Sequence, residues 1–270
     1  NTTVALVWPA SGIALAALLL GGHGLWPGIL IGLLAAHLSL GTPPAFTLFA
    51  VAGNTLEAVL GAWLLRGQGF DPALARLRDV VLLTLSGALA ASAVSATLGS
   101  IGLLAAGMIA TPALPGAWLA WWVGNATGVL LLAPLLLTWG PPRAWRRPLR
   151  PGEGVLLVLT LLLASRLLFG HWLTVEDVRY PLGFLPVPLL VWTALRFGPR
   201  GSALANLILV GTAIWETAHG QGPFVGATGE DRLFLAWTYF ATWILTGLSL
   251  AALLAERTLV RRLAEENRAL

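Results

Sequence analysis

Between residues 4 and 255 the chain alternates long apolar runs with short polar loops, and that pattern alone decides what it can fold into. The runs fall at 4–20, 25–40, 46–65, 80–106, 117–139, 155–172, 181–195, 202–217 and 233–255. A helix rising about 1.5 Å per residue needs about 20 residues to cross a ~30 Å hydrocarbon core, and the runs at 46–65, 80–106, 117–139 and 233–255 reach that length. Charged residues make up only 10% of the chain, against about 25% in an average soluble domain, and the mean hydropathy is +0.81. The fold class is therefore all-α: a polytopic transmembrane helical bundle of eight or nine spans. Its first two spans are short and carry Pro9, Gly12, Pro27 and Gly28, so they are expected as broken or re-entrant segments.

Charge sets the expected orientation. The sequence pI is near 10.9, yet all sixteen basic residues are arginine and most lie in short loops, at 66–78, at 143–150, at Arg196 and Arg200, and at 257–268. Such placement reads as topology rather than a nucleic-acid surface. The positive-inside rule puts these loops and the C-terminus in the cytoplasm. Loops carrying Glu176, Asp177, Glu230 and Asp231 alternate with them and fall outside. The chain has no cysteine, and its four histidines are scattered, so neither thiol chemistry nor a metal site is expected. His37 and His171, near span ends, read as interfacial. No cofactor is expected.

Within this apolar background, Glu57 stands near the middle of the third run. A carboxylate at that depth costs a few kcal/mol even on insertion scales, so it faces the bundle interior and has a partner or a task. Asn54 lies three residues earlier on the same helix face. Asn125, Arg166 and Glu216 are further polar groups in apolar runs, expected toward the outer side. Two arrangements suit Glu57. A pairing with Arg166 makes a structural ion pair, whereas a pairing with Asn125 leaves a site able to hold a proton or a ligand. Most of the thirteen tryptophans read as an interfacial belt, although Trp121 and Trp122 adjoin Asn125 and join Trp8, Asn54, Glu57, Asn125, Arg166 and Glu216 in a candidate ligand-binding or signalling cavity. Gly87, Ala91 and Ser95, Gly124 and Gly128, and Gly201 with Ala205 have the small-residue spacing that lets helices pack closely.

The chain changes character at Glu256. With Leu253 at heptad position a, Val260 and Asn267 follow at a and Leu263 and Leu270 at d, among Arg257, Arg261, Arg262, Glu265, Glu266 and Arg268. This is the start of a coiled coil whose Asn at a favours a parallel dimer in fixed register. The expected organisation is a membrane domain, 1–255, followed by a cytoplasmic coiled-coil linker, 256–270, that leads to an output domain.

Six blocks now carry a resemblance: Trp8-Pro9-Ala10-Ser11-Gly12-Ile13-Ala14-Leu15-Ala16, Leu25-Trp26-Pro27-Gly28, Gly53-Asn54-Thr55-Leu56-Glu57-Ala58, Trp121-Trp122-Val123-Gly124-Asn125-Ala126-Thr127-Gly128, Ala194-Leu195-Arg196-Phe197-Gly198 and Gly220-Gln221-Gly222-Pro223-Phe224. In this order they resemble the first-type membrane-associated sensor (MASE) domain of bacteria. The resemblance implies a multi-pass sensory module of the bacterial inner membrane, itself without enzymatic activity. It also implies fusion to a histidine kinase, diguanylate cyclase, phosphodiesterase or PAS domain. The family commonly carries Asp where this chain has Asn125. The expected function is perception of an external or intramembrane stimulus by a parallel homodimer in the lipid bilayer, through an unknown small ligand or a membrane partner protein. The signal would pass along the last helix to the output domain. The alternative is a small-molecule or ion transporter or channel built around a mid-membrane carboxylate.

Overall fold

The computed structural model describes residues 7–140, 151–169, 174–175, 178–179, 186–220 and 229–269. The arginine cluster at 143–150, Trp145, His171, Trp172, Glu176, Asp177, the 221–224 part of the last family block and Leu270 lie outside those residues. So do the side chains of Glu230, Asp231, Arg262, Leu263 and Arg268.

The described residues are helical apart from turns and a two-residue antiparallel pair, Thr174–Val175 with Val178–Arg179. Helices α1 (Pro9–Gly21) and α2 (Trp26–Ser39) each begin at a proline, whose missing N–H costs nothing in a first helical turn. Between them stand Gly22 at φ 98 and one 3₁₀ turn, His23–Leu25. At about 20 Å each, neither crosses a bilayer alone. Helix α3 (Pro44–Gly67) follows, then a continuous rod made of α4 (Leu77–Leu82), a π-helical segment (Leu83–Ala90) and α5 (Ala91–Ala105). Helices α6 (Leu114–Trp139), α7 (Pro151–Phe169), α8 (Val187–Ala218) and α9 (Gly229–Ala269) complete the order.

Eight or nine spans are expected; among the described residues, five helical segments qualify by length and composition: Pro44–Gly67, Leu77–Ala105, Thr111–Trp139, Gly152–Phe169 and Phe234–Asn267. The described part of the run expected at 181–195 and the run expected at 202–217 lie on the two sides of a break in α8. The break falls at Gly198, whose φ of 62 and ψ of −155 leave the helical region, and Pro199 follows with no N–H to donate.

Two compact units share the chain. One comprises residues 1–72 and 81–137; the other comprises 73–80 and 138–270. In the first, α3 and α5 run antiparallel in close contact. A Cβ on Gly53 would sit 3.3 Å from the Ser95 Cα, and one on Gly61 would sit 3.3 Å from the Ala91 Cβ. Helices α1 and α6 approach more closely still: a Cβ on Gly128 would lie 1.9 Å from the Trp8 carbonyl oxygen, and one on Gly12 would lie 2.2 Å from that of Gly128. Small residues admit these approaches, since lipid supplies no hydrophobic drive and packing must supply contact instead. Leu48, Leu56 and Trp63 stay exposed on the other face of α3, as a lipid-facing surface requires. In the second unit, Leu157 and Leu161 of α7, Leu190, Ala205 and Leu209 of α8, and Trp243 of α9 form the core.

Candidate functional site

The antiparallel register of α3 and α5 fixes the polar centre. Two residues three apart on α3, Asn54 and Glu57, face two residues three apart on α5, Ser95 and Ser92. The Ser92 hydroxyl donates to Glu57 Oε1 at 2.7 Å, and the Ser95 hydroxyl to Asn54 Oδ1 at 3.2 Å. From α1, the Ser11 hydroxyl donates to Glu57 Oε2 at 3.2 Å. From α6, the Asn125 amide nitrogen Nδ2 lies 2.6 Å from Glu57 Oε2, 3.1 Å from Asn54 Oδ1 and 3.1 Å from Ser95 Oγ. Six polar side chains from four helices thus meet around one carboxyl group that is 2% exposed.

Among the described residues, no cation pairs with Glu57. Its partners are hydroxyls and an amide, so the group is held by hydrogen bonds alone. Burying a carboxyl costs least when its lone pairs are filled in this way.

Three indoles of α6 close the cluster's flank. Trp121 donates to Ser95 Oγ at 3.1 Å, Trp122 to the Leu89 carbonyl at 2.9 Å, and Trp118 to Thr97 Oγ1 at 3.1 Å. Trp121 lies so tightly on α5 that a Cβ at Gly99 would meet its ring at 2.5 Å. These tryptophans, expected as part of an interfacial belt or of the cavity, fasten α6 to the rod. Trp8 takes part through its backbone: its N–H donates to the Gly124 carbonyl at 2.8 Å and its own carbonyl oxygen abuts Gly128.

Arg166 and Glu216 belong to the second unit and bond to each other, at 2.9 Å across α7 and α8. Arg166 is the exposed member and Glu216 the buried one. Arg196 pairs with Glu153. The eight cavity candidates accordingly bond in two groups: Trp8, Asn54, Glu57, Trp121, Trp122 and Asn125 around or beside the polar centre, and Arg166 with Glu216.

A third polar feature lies at residues 73–80. Arg76 grips the fully buried Asp79 through two bonds of 2.7 and 3.1 Å. Beside them, the Leu77 N–H, one of the unbonded donors of the rod's first turn, points to Glu256 Oε2 of α9 at 3.3 Å. Sequence reasoning missed Ser11, Ser92 and Glu256 as partners. Of these only Ser92 had a legible signal, its spacing of three from Ser95, which matches that of Asn54 and Glu57.

Val260 and Asn267 are exposed on the charged end of α9, and Val260 is 61% exposed. The helix runs unbroken for 41 residues, about 61 Å, well beyond one membrane thickness.

Fold and site together define a multi-pass helical membrane protein with an enclosed polar centre. The MASE1 family model matches residues 1–258, and the chain belongs to that family of membrane-associated sensor domains. Comparison with curated proteins and with solved structures finds no match.

Proposed function

We propose that this chain is the sensory input domain of a bacterial signal-transduction protein, that its stimulus acts on the Glu57 centre, and that α9 carries the response to a fused cytoplasmic output domain. One observation carries the reading: a single rod, Leu77–Ala105, holds Glu57 and Asn54 through Ser92 and Ser95, and its first turn is held by Glu256 of α9. Between these two attachments lies the π-helical segment 83–90. A π-helix is an α-helix with its hydrogen-bond register locally widened, and such segments recur at functional sites. Reverting it to the narrower α-helix, which rises more per residue, would turn and lengthen the rod, so a change at Ser92 becomes a change at Leu77.

The domain acts as a two-state switch. Any stimulus must favour one state by its differential affinity, and coupling of this kind amounts to about 1–3 kcal/mol. The output is of the histidine kinase or diguanylate cyclase type, with Val260, Leu263, Asn267 and Leu270 forming a parallel homodimeric coil on the cytoplasmic side of the inner membrane. The arginine-rich loops support that orientation. Fusing the chain to a reporter kinase tests the proposal. Glu57→Gln and Glu256→Gln should each shift kinase activity while membrane insertion is kept, and normal activity in both variants would overturn it.

A further inference from the structure

We infer that the Glu57 centre is a binding site for a monovalent alkali cation of sodium's size. This inference rests on the reading of that centre as the stimulus site. Its ground is the position of one atom. Asn125 Nδ2 lies within 3.1 Å of three oxygens, from Glu57, Asn54 and Ser95. An amide nitrogen carries two hydrogens, so it cannot donate fully to all three. The positive end of the amide stands where a cation would stand, inside a shell of hard oxygen donors.

For a cation to take that point, the Asn125 side chain must draw back from it and turn its amide by half a turn, so that Oδ1 and not the nitrogen faces the vacated position. Carboxylate, two amide oxygens and a hydroxyl then face one point with no hydrogen-bond donor left among them except Ser95. That arrangement is repulsive when empty and favourable around a cation. Oxygen ligands approach a cation of this radius to about 2.4 Å, a few tenths of an ångström inside the present separations from Nδ2. Ser11 and Ser92 hold the carboxylate from outside the shell and need not move.

Charge decides the class. One carboxylate with neutral oxygen partners balances a single positive charge. Among the described residues no group of three His, Cys, Asp or Glu exists to hold a transition metal or a fully neutralised divalent ion. Binding would withdraw the Asn125 donor from Asn54 and Ser95, and Ser95 is the residue to which Trp121 is anchored. The cation would thereby reset the contact between α6 and the rod.

The test is equilibrium binding of radioactive sodium to the purified chain in lipid nanodiscs, competed with unlabelled sodium chloride or with choline chloride. Saturable binding that sodium displaces and choline does not is expected, weakened at least about tenfold in Glu57→Gln and in Asn54→Ala. Asn125→Asp, which adds a carboxylate to the shell, should tighten it. Circular dichroism confirms that each variant is folded, and Asn54→Ala carries the prediction if Glu57→Gln does not fold. Absence of saturable binding, or binding equal in wild type and both weakening variants, overturns the inference. If the reporter kinase responds to Glu57→Gln while sodium does not bind, the cation assignment fails and the sensory reading survives. Binding of sodium with an unresponsive reporter overturns the sensory reading instead.

Discussion

Replacing Glu57 by leucine removes three bonds that tie α3 to other helices, to Ser11 of α1, Ser92 of α5 and Asn125 of α6, while Asn54 keeps its own bonds to Ser95 and Asn125. Interhelical hydrogen bonds in membrane proteins average about 0.6 kcal/mol each, so three lost bonds amount to about 2 kcal/mol. An apolar substitute for a buried charge can be neutral when its whole environment is apolar. Here it is not, since Ser11 and Ser92 are left without their acceptor and Asn125 loses one of its three, and the loss should appear in full. Glu57→Gln is milder. With the glutamine oxygen in the place of Oε2 the bonds from Asn125 and Ser11 remain, weakened because the acceptor is no longer charged, and the Ser92 hydroxyl turns to accept from the amide N–H, for a loss of about 0.6 kcal/mol. Reversible unfolding in detergent micelles, followed by circular dichroism, should rank the proteins wild type, Glu57→Gln, Glu57→Leu. If the 2 kcal/mol falls on only one of two signalling states, their ratio moves by about 30-fold. Equal stability of Glu57→Leu and wild type, together with reporter activity within about twofold, would refute the bond accounting.

Other substitutions follow from the same geometry. Gly128→Ala places a methyl group 1.9 Å from the Trp8 carbonyl, so α1 must move by more than an ångström; a loss of about 1–3 kcal/mol and a lower thermal midpoint are expected. Trp122→Phe frees the Leu89 carbonyl in the π-helical segment, and hydrogen exchange of amides 83–94 should quicken while α3 stays protected. Asn267→Leu removes the polar a position and should change the register or the oligomeric state, read by crosslinking and light scattering. Arg196→Gln breaks an exposed pair with Glu153 and should leave the thermal midpoint essentially unchanged, since solvent screens such pairs.

What the sequence reveals here depends on which physical rule governs each part. Apolar runs and prolines announce α1, α2, α3 and the rod, because span length and helix starts are local properties. Glu57 announces itself by cost alone, and Asn54 by sharing its face. Their partners on α5 are harder to see, since a serine in a small-residue stripe reads as packing until the helix register places it against a carboxyl group. The π-helical segment has no signature in Leu83-Thr84-Leu85-Ser86-Gly87-Ala88-Leu89-Ala90, which reads as ordinary helix. Arg166 and Glu57 look like natural partners by charge, yet Glu216 takes Arg166, because pairing across helices is decided by packing and not by sequence spacing. The break that divides α8 between its two expected apolar runs likewise depends on a single backbone torsion at Gly198.

The account centres on passage of a change at Glu57 through the rod to the end of α9. Because the chain contains no cysteine, a lone cysteine at Val260 reports that end without background. The decisive measurement is the rate of disulfide formation between Val260→Cys chains in membranes, with Glu57 intact and with Glu57→Gln. A disulfide that forms readily and changes in rate by several-fold in the Glu57→Gln protein is the predicted result, in keeping with a coupling of about 1–3 kcal/mol. A rate unchanged by Glu57→Gln, or no disulfide in either protein, would contradict the account.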